Sequence, residues 1–348
     1  MIPVAKKPSD PEFYIGPQPV IRRAARPTPP RKTKPRNPSR SPKYSAGSIR
    51  RVYRRVPEVM VRITGSTRGF KHMVAHLEYI HRHGKLEGAT SDGSNVLGKE
   101  SVRDLAREWF YRREAKPHGR QDRSKDTINT VFSMPEGTPR EAVTVAAKAA
   151  ADRLFGGKFD YVAVTHTDTP HPHVHVTVLA RGHDGKRLNP GPEDLQRWRE
   201  VFAECVREQG VEAEATFRDI RGVVKKSPKQ AIFHISKKGK SDFRADEVRE
   251  AIATVTGQVA AGEKPWETAT KKRQAYVRKQ WLAYADQLDG LNDPQLAQDA
   301  KDIRAFVAEM PAPVTRREEL ESAVRSRLQK GRGGQEIPQA NGNEQERD

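Results

Sequence analysis

Residues 161–180 read YVAVTHTDTPHPHVHVTVLA, two runs of alternating apolar and polar residues separated by the six-residue turn TDTPHP. Alternation with a period of two marks a half-buried β-strand, and two such runs this close together pair as an antiparallel hairpin. The pattern therefore commits the chain to an antiparallel sheet. On the second run Val174, Val176 and Val178 share the face that points into a core, while His173, His175 and Thr177 share the other.

The flanking sequence supplies the rest of a sheet and its cover. EVMVRITG (58–65) and TINTVFSM (127–134) read as strands. RGFKHMVAHLEYIHRHG reads as a helix ended by Gly84, and LGKESVRDLAREWFYRREA as another. TPREAVTVAAKAAADRLFGG reads as a helix with Thr138 as N-cap, Pro139 in the first turn and Gly156 past the end. This order of elements predicts an α+β fold, a central antiparallel sheet flanked by helices, over residues 58–222. A helical, polar extension is expected over 223–330 and a disordered tail over 331–348.

Charge is unevenly placed. The formal net charge is +19, and residues 1–57 hold fifteen Lys and Arg against Asp10 and Glu12, together with twelve of the 25 prolines. We expect a disordered basic arm there. Such a balance points to a polyanionic partner, of which nucleic acid is the commonest. Lys225, Lys226, Lys229, Lys237, Lys238 and Lys240 form a second basic cluster, suited to salt-sensitive phosphate binding. The single cysteine, Cys205, excludes an internal disulfide framework and is expected as a small core residue. No apolar run approaches the ~20 residues that cross a bilayer, and no secretory signal opens the chain, so a cytosolic location without membrane insertion is expected.

The hairpin carries the chemistry. His166, Asp168, His171, His173 and His175 fall within ten positions. Two imidazoles at alternate positions of a strand converge from one face, and His166 on the partner strand can add a third nitrogen. Three histidines leave coordination positions open, the form of a catalytic metal site, and such an ion can draw charge from a phosphodiester oxygen. Asp168 is placed to accept the second ring N–H of a ligand and fix its tautomer. His171, in the turn, is left as a substitute ligand, a proton shuttle or an exposed side chain. In the first helix Phe70, Met73, Val74, Leu77 and Ile80 define the buried stripe; at 100° per residue Tyr79 points away from it, beside His72, His76 and His83 on a mostly solvated face.

HTDTPHPHVHVTV, with HLEYIHRHGKLEG upstream, resembles the relaxases, the mobilization nucleases of conjugative and mobilizable plasmids within the HUH endonucleases, most closely the T-DNA border nickase type. The resemblance covers about residues 58–222. It implies a palm-like sheet, Tyr79 as the nucleophile, His166, His173 and His175 as ligands of a divalent ion (Mg or Mn), and Asp168 and His171 as further catalytic residues. It implies DNA contact by Ser133, in VFSMPEGT, and by Lys85. The activity implied is strand-specific nicking of single-stranded and supercoiled transfer-origin DNA through a 5′-phosphotyrosyl intermediate, with later rejoining. The partners implied are an accessory DNA-binding protein of the relaxosome and the coupling protein of a type IV secretion system, in the cytoplasm of a donor bacterium from which the linked protein can be transferred. The alternatives are a rolling-circle replication initiator with the same metal and tyrosine chemistry, and a non-catalytic DNA-binding protein. A two-histidine phosphoesterase would need paired His-x-Thr motifs, and only HVT (175–177) fits.

Overall fold

A computed structural model of the chain describes residues 13–14, 43–114, 124–223, 242–259 and 262–332. The chain divides into two compact units, one formed by Ala46–Phe217 and the other by Met1–Ser45 with Arg218–Asp348. The Lys225–Lys240 cluster, most of the expected basic arm and nearly all of the expected tail lie outside the described residues.

The first unit is built on six strands, β1 (Met60–Thr67), β2 (Gly88–Thr90), β3 (Asn95–Val96), β4 (Thr127–Ser133), β5 (Tyr161–His166) and β6 (His173–Leu179). Every pairing is antiparallel and the spatial order is β1-β4-β6-β5-β2-β3. The expected hairpin is present, with His166 opposite His173 and Val164 opposite His175. Among the described residues of this unit five helices accompany the sheet: α1 (Ala46–Tyr53), α2 (Phe70–Ile80), α3 (Lys99–Glu114), α4 (Arg140–Phe155) and α5 (Pro192–Glu208).

Both faces of the sheet are covered, and the alternation in the strands sorts side chains between them. On one face Tyr161, Ala163, Val174, Val176 and Val178 pack with Phe132 against α4 and α5, through Ala147, Ala151, Phe155, Trp198 and Phe202. Each of the three valines is fully buried, worth about 1.5–3 kcal/mol apiece. Cys205 is buried in this layer, as its helical position predicted. On the opposite face Val162, Val164 and Leu179 meet Met73, Leu77 and Ile80 of α2 and Trp109 of α3. The histidines of β5 and β6 continue this second face.

Four readings of the sequence are corrected. The segment taken as the end of the arm is helical: α1 buries Ile49, Val52 and Tyr53, and Arg51 Nε donates to the Glu214 carboxylate at 2.7 Å. The first unit therefore begins at Ala46 and ends at Phe217, where 58 and 222 were expected. Thr138 does not cap α4; its hydroxyl donates to the Pro135 carbonyl at 2.8 Å, and Pro139 occupies the position before the first helical residue. A local turn has captured the hydroxyl that a cap would need. Helix α2 stops at Ile80, ahead of Gly84, because Arg82 (φ 51°) and His83 (φ 58°) already adopt left-handed backbone. The short hairpin of β2 and β3 was not anticipated.

In the second unit the two-residue strands Phe13–Tyr14 and Lys43–Tyr44 pair antiparallel. Among the described residues four helices follow: α6 (Asp242–Val255), α7 (Pro265–Asp289), α8 (Pro294–Ala308) and α9 (Arg316–Arg332). Trp281 of α7 and Phe306 of α8 meet edge to face at 5.3 Å between ring centroids, and the Trp281 indole N–H donates to the Ile220 carbonyl at 2.9 Å. Among the described residues no helix is long and apolar enough to cross a membrane.

Candidate metal centre and nucleophile

His166 ends β5 and His173 begins β6, so the hairpin register alone sets them side by side, with His175 one alternation further. Ring centroids are 4.2 Å apart for His166 and His175, 5.3 Å for His166 and His173, and 5.4 Å for His173 and His175. One nitrogen from each ring lies within 4.8 Å of the other two. No other group of three or more candidate ligands occurs among the described residues. A pairing of His72 with His76 is not formed into such a group; the His72 Nδ1 instead accepts the Arg68 backbone N–H at 3.4 Å.

Backbone carbonyls fix which nitrogens are free. The His173 Nδ1 lies 3.0 Å from the His171 carbonyl and 3.2 Å from the Thr169 hydroxyl. A carbonyl can only accept, so Nδ1 carries the proton and Nε2 keeps its lone pair. The His166 Nε2 lies 2.7 Å from the Ile80 carbonyl and must likewise be its donor, leaving Nδ1 as the ligand atom. Arg82 Nη2 donates to that same Nδ1 at 3.2 Å, so an ion held there competes with Arg82 for one lone pair. Burial pushes the His175 pKa down to about 3, with the neighbouring His166 and His173 adding to the effect, and burial also lowers that of His166. His166 and His175 are thus held in the neutral form that ligation requires. The three residues fit a divalent cation on donor type and spacing.

Asp168 does not take the place expected for it. Its carboxylate pairs with Arg82, lies 3.9 Å from the His166 Nδ1 and is half exposed; the Arg82 hydrogen bond holds its pKa below the usual carboxylate range. The backbone of Ile80 does the orienting that was assigned to Asp168. His171 acts through its carbonyl, its ring being exposed and outside the triad. Ser133 stands directly opposite His173 in the sheet, but it is buried and its hydroxyl donates to the Met134 carbonyl at 3.3 Å. Lys85 is exposed in the turn after α2.

Tyr79 sits where the helical periodicity put it, 56% exposed on α2. Its ring meets the His175 ring edge-on, with centroids 6.5 Å apart. The Arg82 guanidinium lies 5.0 Å from the Tyr79 ring centroid, close enough for a cation–π contact. One side chain therefore touches the tyrosine, a metal-type histidine and the acidic residue.

Sequence reasoning missed Arg82 and misjudged His76. A helix running to Gly84 would have placed Arg82 on its solvated side; the left-handed turn instead throws it back over Tyr79. His76, expected on a solvated face, is largely buried and its Nε2 lies 2.9 Å from the Thr177 hydroxyl of β6. Burial, with the charges of His72 and His81 adding to it, pushes its pKa down to about 4. The signal was in the pattern: Thr177 shares the face of His173 and His175, so a polar partner above it was required once that face was covered.

The family model for the MobA/VirD2-like relaxase nuclease domain matches residues 79–211. The T-DNA border endonuclease VirD2 of Rhizobium radiobacter is 29% identical over 186 residues, 49% of this chain and 44% of that protein. Its counterpart from Rhizobium rhizogenes is 26% identical over 225 residues, 60% of this chain and 50% of that protein. The chain thus spans about half the length of these relatives. Among solved structures, the MobM relaxase domain bound to plasmid oriT DNA, crystallised with Mn, is 14% identical with a TM-score of 0.37, covering 51% of this chain and 98% of that one.

Proposed function

Residues 79–211 being a nuclease domain of the MobA/VirD2-like relaxase family, we propose that the protein nicks one strand of transfer-origin DNA by tyrosine transesterification. The observation that carries this reading is the placement of an exposed phenol beside three clustered imidazoles, with Tyr79 and His175 in ring contact.

The Tyr79 hydroxyl oxygen attacks the phosphorus of the scissile phosphodiester. The new bond joins that oxygen to phosphorus, the bond from phosphorus to the 3′ oxygen breaks, and the phenol's proton ends on the departing 3′-OH. The ester energy is retained in the 5′-phosphotyrosyl link, so the same 3′-OH can reseal the strand. His166 Nδ1, His173 Nε2 and His175 would hold a divalent ion, Mg or Mn, which supplies electrophilic polarisation of a phosphate oxygen. Arg82 contributes a fixed positive charge beside the attacking group, where charge builds on the phosphoryl oxygens. The Arg82–Asp168 pair keeps that guanidinium from swinging into solvent. Ser133 closes the floor beside His173, along which a bound strand would run, and Lys85 would meet a backbone phosphate. Further partners on this reading are a relaxosome accessory protein and the coupling protein of a type IV secretion system.

Labelled single-stranded DNA drawn from a pool of random sequence, incubated with the protein and Mn and resolved on a denaturing gel, tests this. A protein-linked strand that disappears on adding chelator is expected. Intact DNA under every metal condition would leave a non-catalytic DNA-binding protein as the better account.

A further inference from the structure

The second unit presents a surface that the nuclease chemistry does not use. Helix α7 spans 25 residues, about 37 Å at ~1.5 Å per residue. Gln274, Val277, Trp281, Tyr284, Ala285 and Leu288 are its buried side. The solvent side carries Tyr276, 39% exposed, with Lys272 one turn before it and Lys279 one turn after. Trp266, 52% exposed, stands at the first turn, about 15 Å further along the axis and ~80° round from Tyr276.

Two features separate this face from an ordinary solvated helix. From Thr268 to Ala285 the helix contains no Asp or Glu but five basic residues. Three of the five are occupied: Lys271 by Glu263 and Glu318, Arg273 by Asp219, and Arg278 by the carbonyls of Val307 and Pro311. Lys272 and Lys279 make no hydrogen bond or ion pair among the described residues. Glu267, the nearest acid before this stretch, is 1% exposed and bonded to Arg317 and Thr315. Along the axis Lys272 lies between the two exposed aromatic rings and Lys279 one turn beyond Tyr276; neither cation is paired among the described residues, and no Asp or Glu interrupts the helix from Thr268 to Ala285.

We infer that this face of α7 binds single-stranded DNA, with bases stacked on Trp266 and Tyr276 and phosphates met by Lys272 and Lys279. Aromatic rings interleaved with cations along a strand-length surface are how proteins hold single strands without reading sequence, because every base has a face to stack and every linkage a charge. The surface goes beyond the nicking reading and does not depend on it.

The tryptophans provide a direct probe. The chain has four; Trp109, Trp198 and Trp281 are at most 5% exposed and Trp266 is the exception. Oligothymidylate added to the full-length protein should quench the accessible part of the tryptophan emission, and Trp266→Phe should abolish that quench while fluorescence anisotropy of labelled oligothymidylate still reports binding. Tyr276→Ala should weaken that binding about fivefold or more, the low end for loss of a base-stacking ring. Lys272→Ala with Lys279→Ala should flatten the dependence of log affinity on log salt by about 1.4, since each phosphate contact on a single strand contributes ~0.7. All four positions are exposed, so melting temperatures should stay at the wild-type value. Saturation of oligothymidylate binding with Trp266 emission and the salt slope unchanged would overturn the inference and leave the Tyr79 chemistry untouched. Quenching by poly-glutamate but not by oligothymidylate would also overturn it, in favour of an acidic protein partner. Full quenching without any phosphotyrosyl product would sink the nicking reading alone.

Discussion

Thr177→Val isolates the contact that fastens the helix carrying Tyr79 to the sheet. Thr177 is 1% exposed on β6, and its hydroxyl meets the His76 Nε2 of α2 at 2.9 Å across 101 residues of sequence. Valine keeps the shape and removes only the hydroxyl, leaving a largely buried ring nitrogen without a partner. Stranding such a group costs about 1–3 kcal/mol, and the added methyl returns ~0.8 kcal/mol at most. The net loss is about 0.2–2.2 kcal/mol, which at a urea slope of about 2 kcal/mol per molar lowers the midpoint by roughly 0.1–1.1 M. His76→Leu combined with Thr177→Val replaces both polar partners, so the double variant should lose less than the two single variants added together. Because Tyr79 lies three residues past His76, the single variant should also slow formation of the protein-linked strand about tenfold, with single-strand affinity retained; a ~1 Å displacement of an attacking group can cost far more. A midpoint no lower than that of wild type, together with an unchanged rate, would refute the reasoning that this buried pair sets the reach of Tyr79.

Three further outcomes follow from the same geometry. The His76 pKa is pushed down to about 4 from an ordinary 6.5; between these values the unfolded chain binds the proton and the folded one does not. Stability is therefore retained above pH 6.5 and falls as pH drops toward 4, by up to about 3 kcal/mol from this group, as thermal melts across that window would record. Gly84→Ala should destabilise the first unit by more than about 2 kcal/mol in urea unfolding, since a methyl there adds left-handed strain to overpacking. Its Cβ would fall 2.4 Å from the Lys99 backbone nitrogen, on backbone with φ +88°. Arg82→Ala should cut the rate of adduct formation by about a hundredfold or more, the scale of one lost electrostatic donor, while leaving metal binding intact by calorimetry; Arg82→Lys should recover only part, because an ammonium cannot hold Asp168 and face the phenol in one planar fork.

The hairpin was legible because its valines and histidines alternate without a break, and strand geometry converts that alternation directly into a valine face and a histidine face. Tyr79 was legible by the same logic at helical period. What escaped the sequence depended on backbone states that composition does not announce. Arg82 and His83 take left-handed conformations usually left to glycine, and that early stop both frees the Ile80 carbonyl for His166 and turns Arg82 toward Tyr79. Helix α1 was hidden by its setting: Ile49, Val52 and Tyr53 form a buried stripe, but Arg50, Arg51, Arg54 and Arg55 around them made the segment read as more of the basic arm. The β2–β3 hairpin has strands of only three and two residues, too short for a period to show.

The central claim concerns one oxygen atom, and peptide mapping addresses it. Trypsin should release residues 72–82, HMVAHLEYIHR, as a peptide with Tyr79 as its only tyrosine. After reaction with single-stranded DNA and nuclease trimming, mass spectrometry should find a nucleotide phosphate on that peptide and fragment ions should place it on Tyr79. A covalent nucleotide on any other residue, or an undiminished adduct in Tyr79→Phe, would contradict the account.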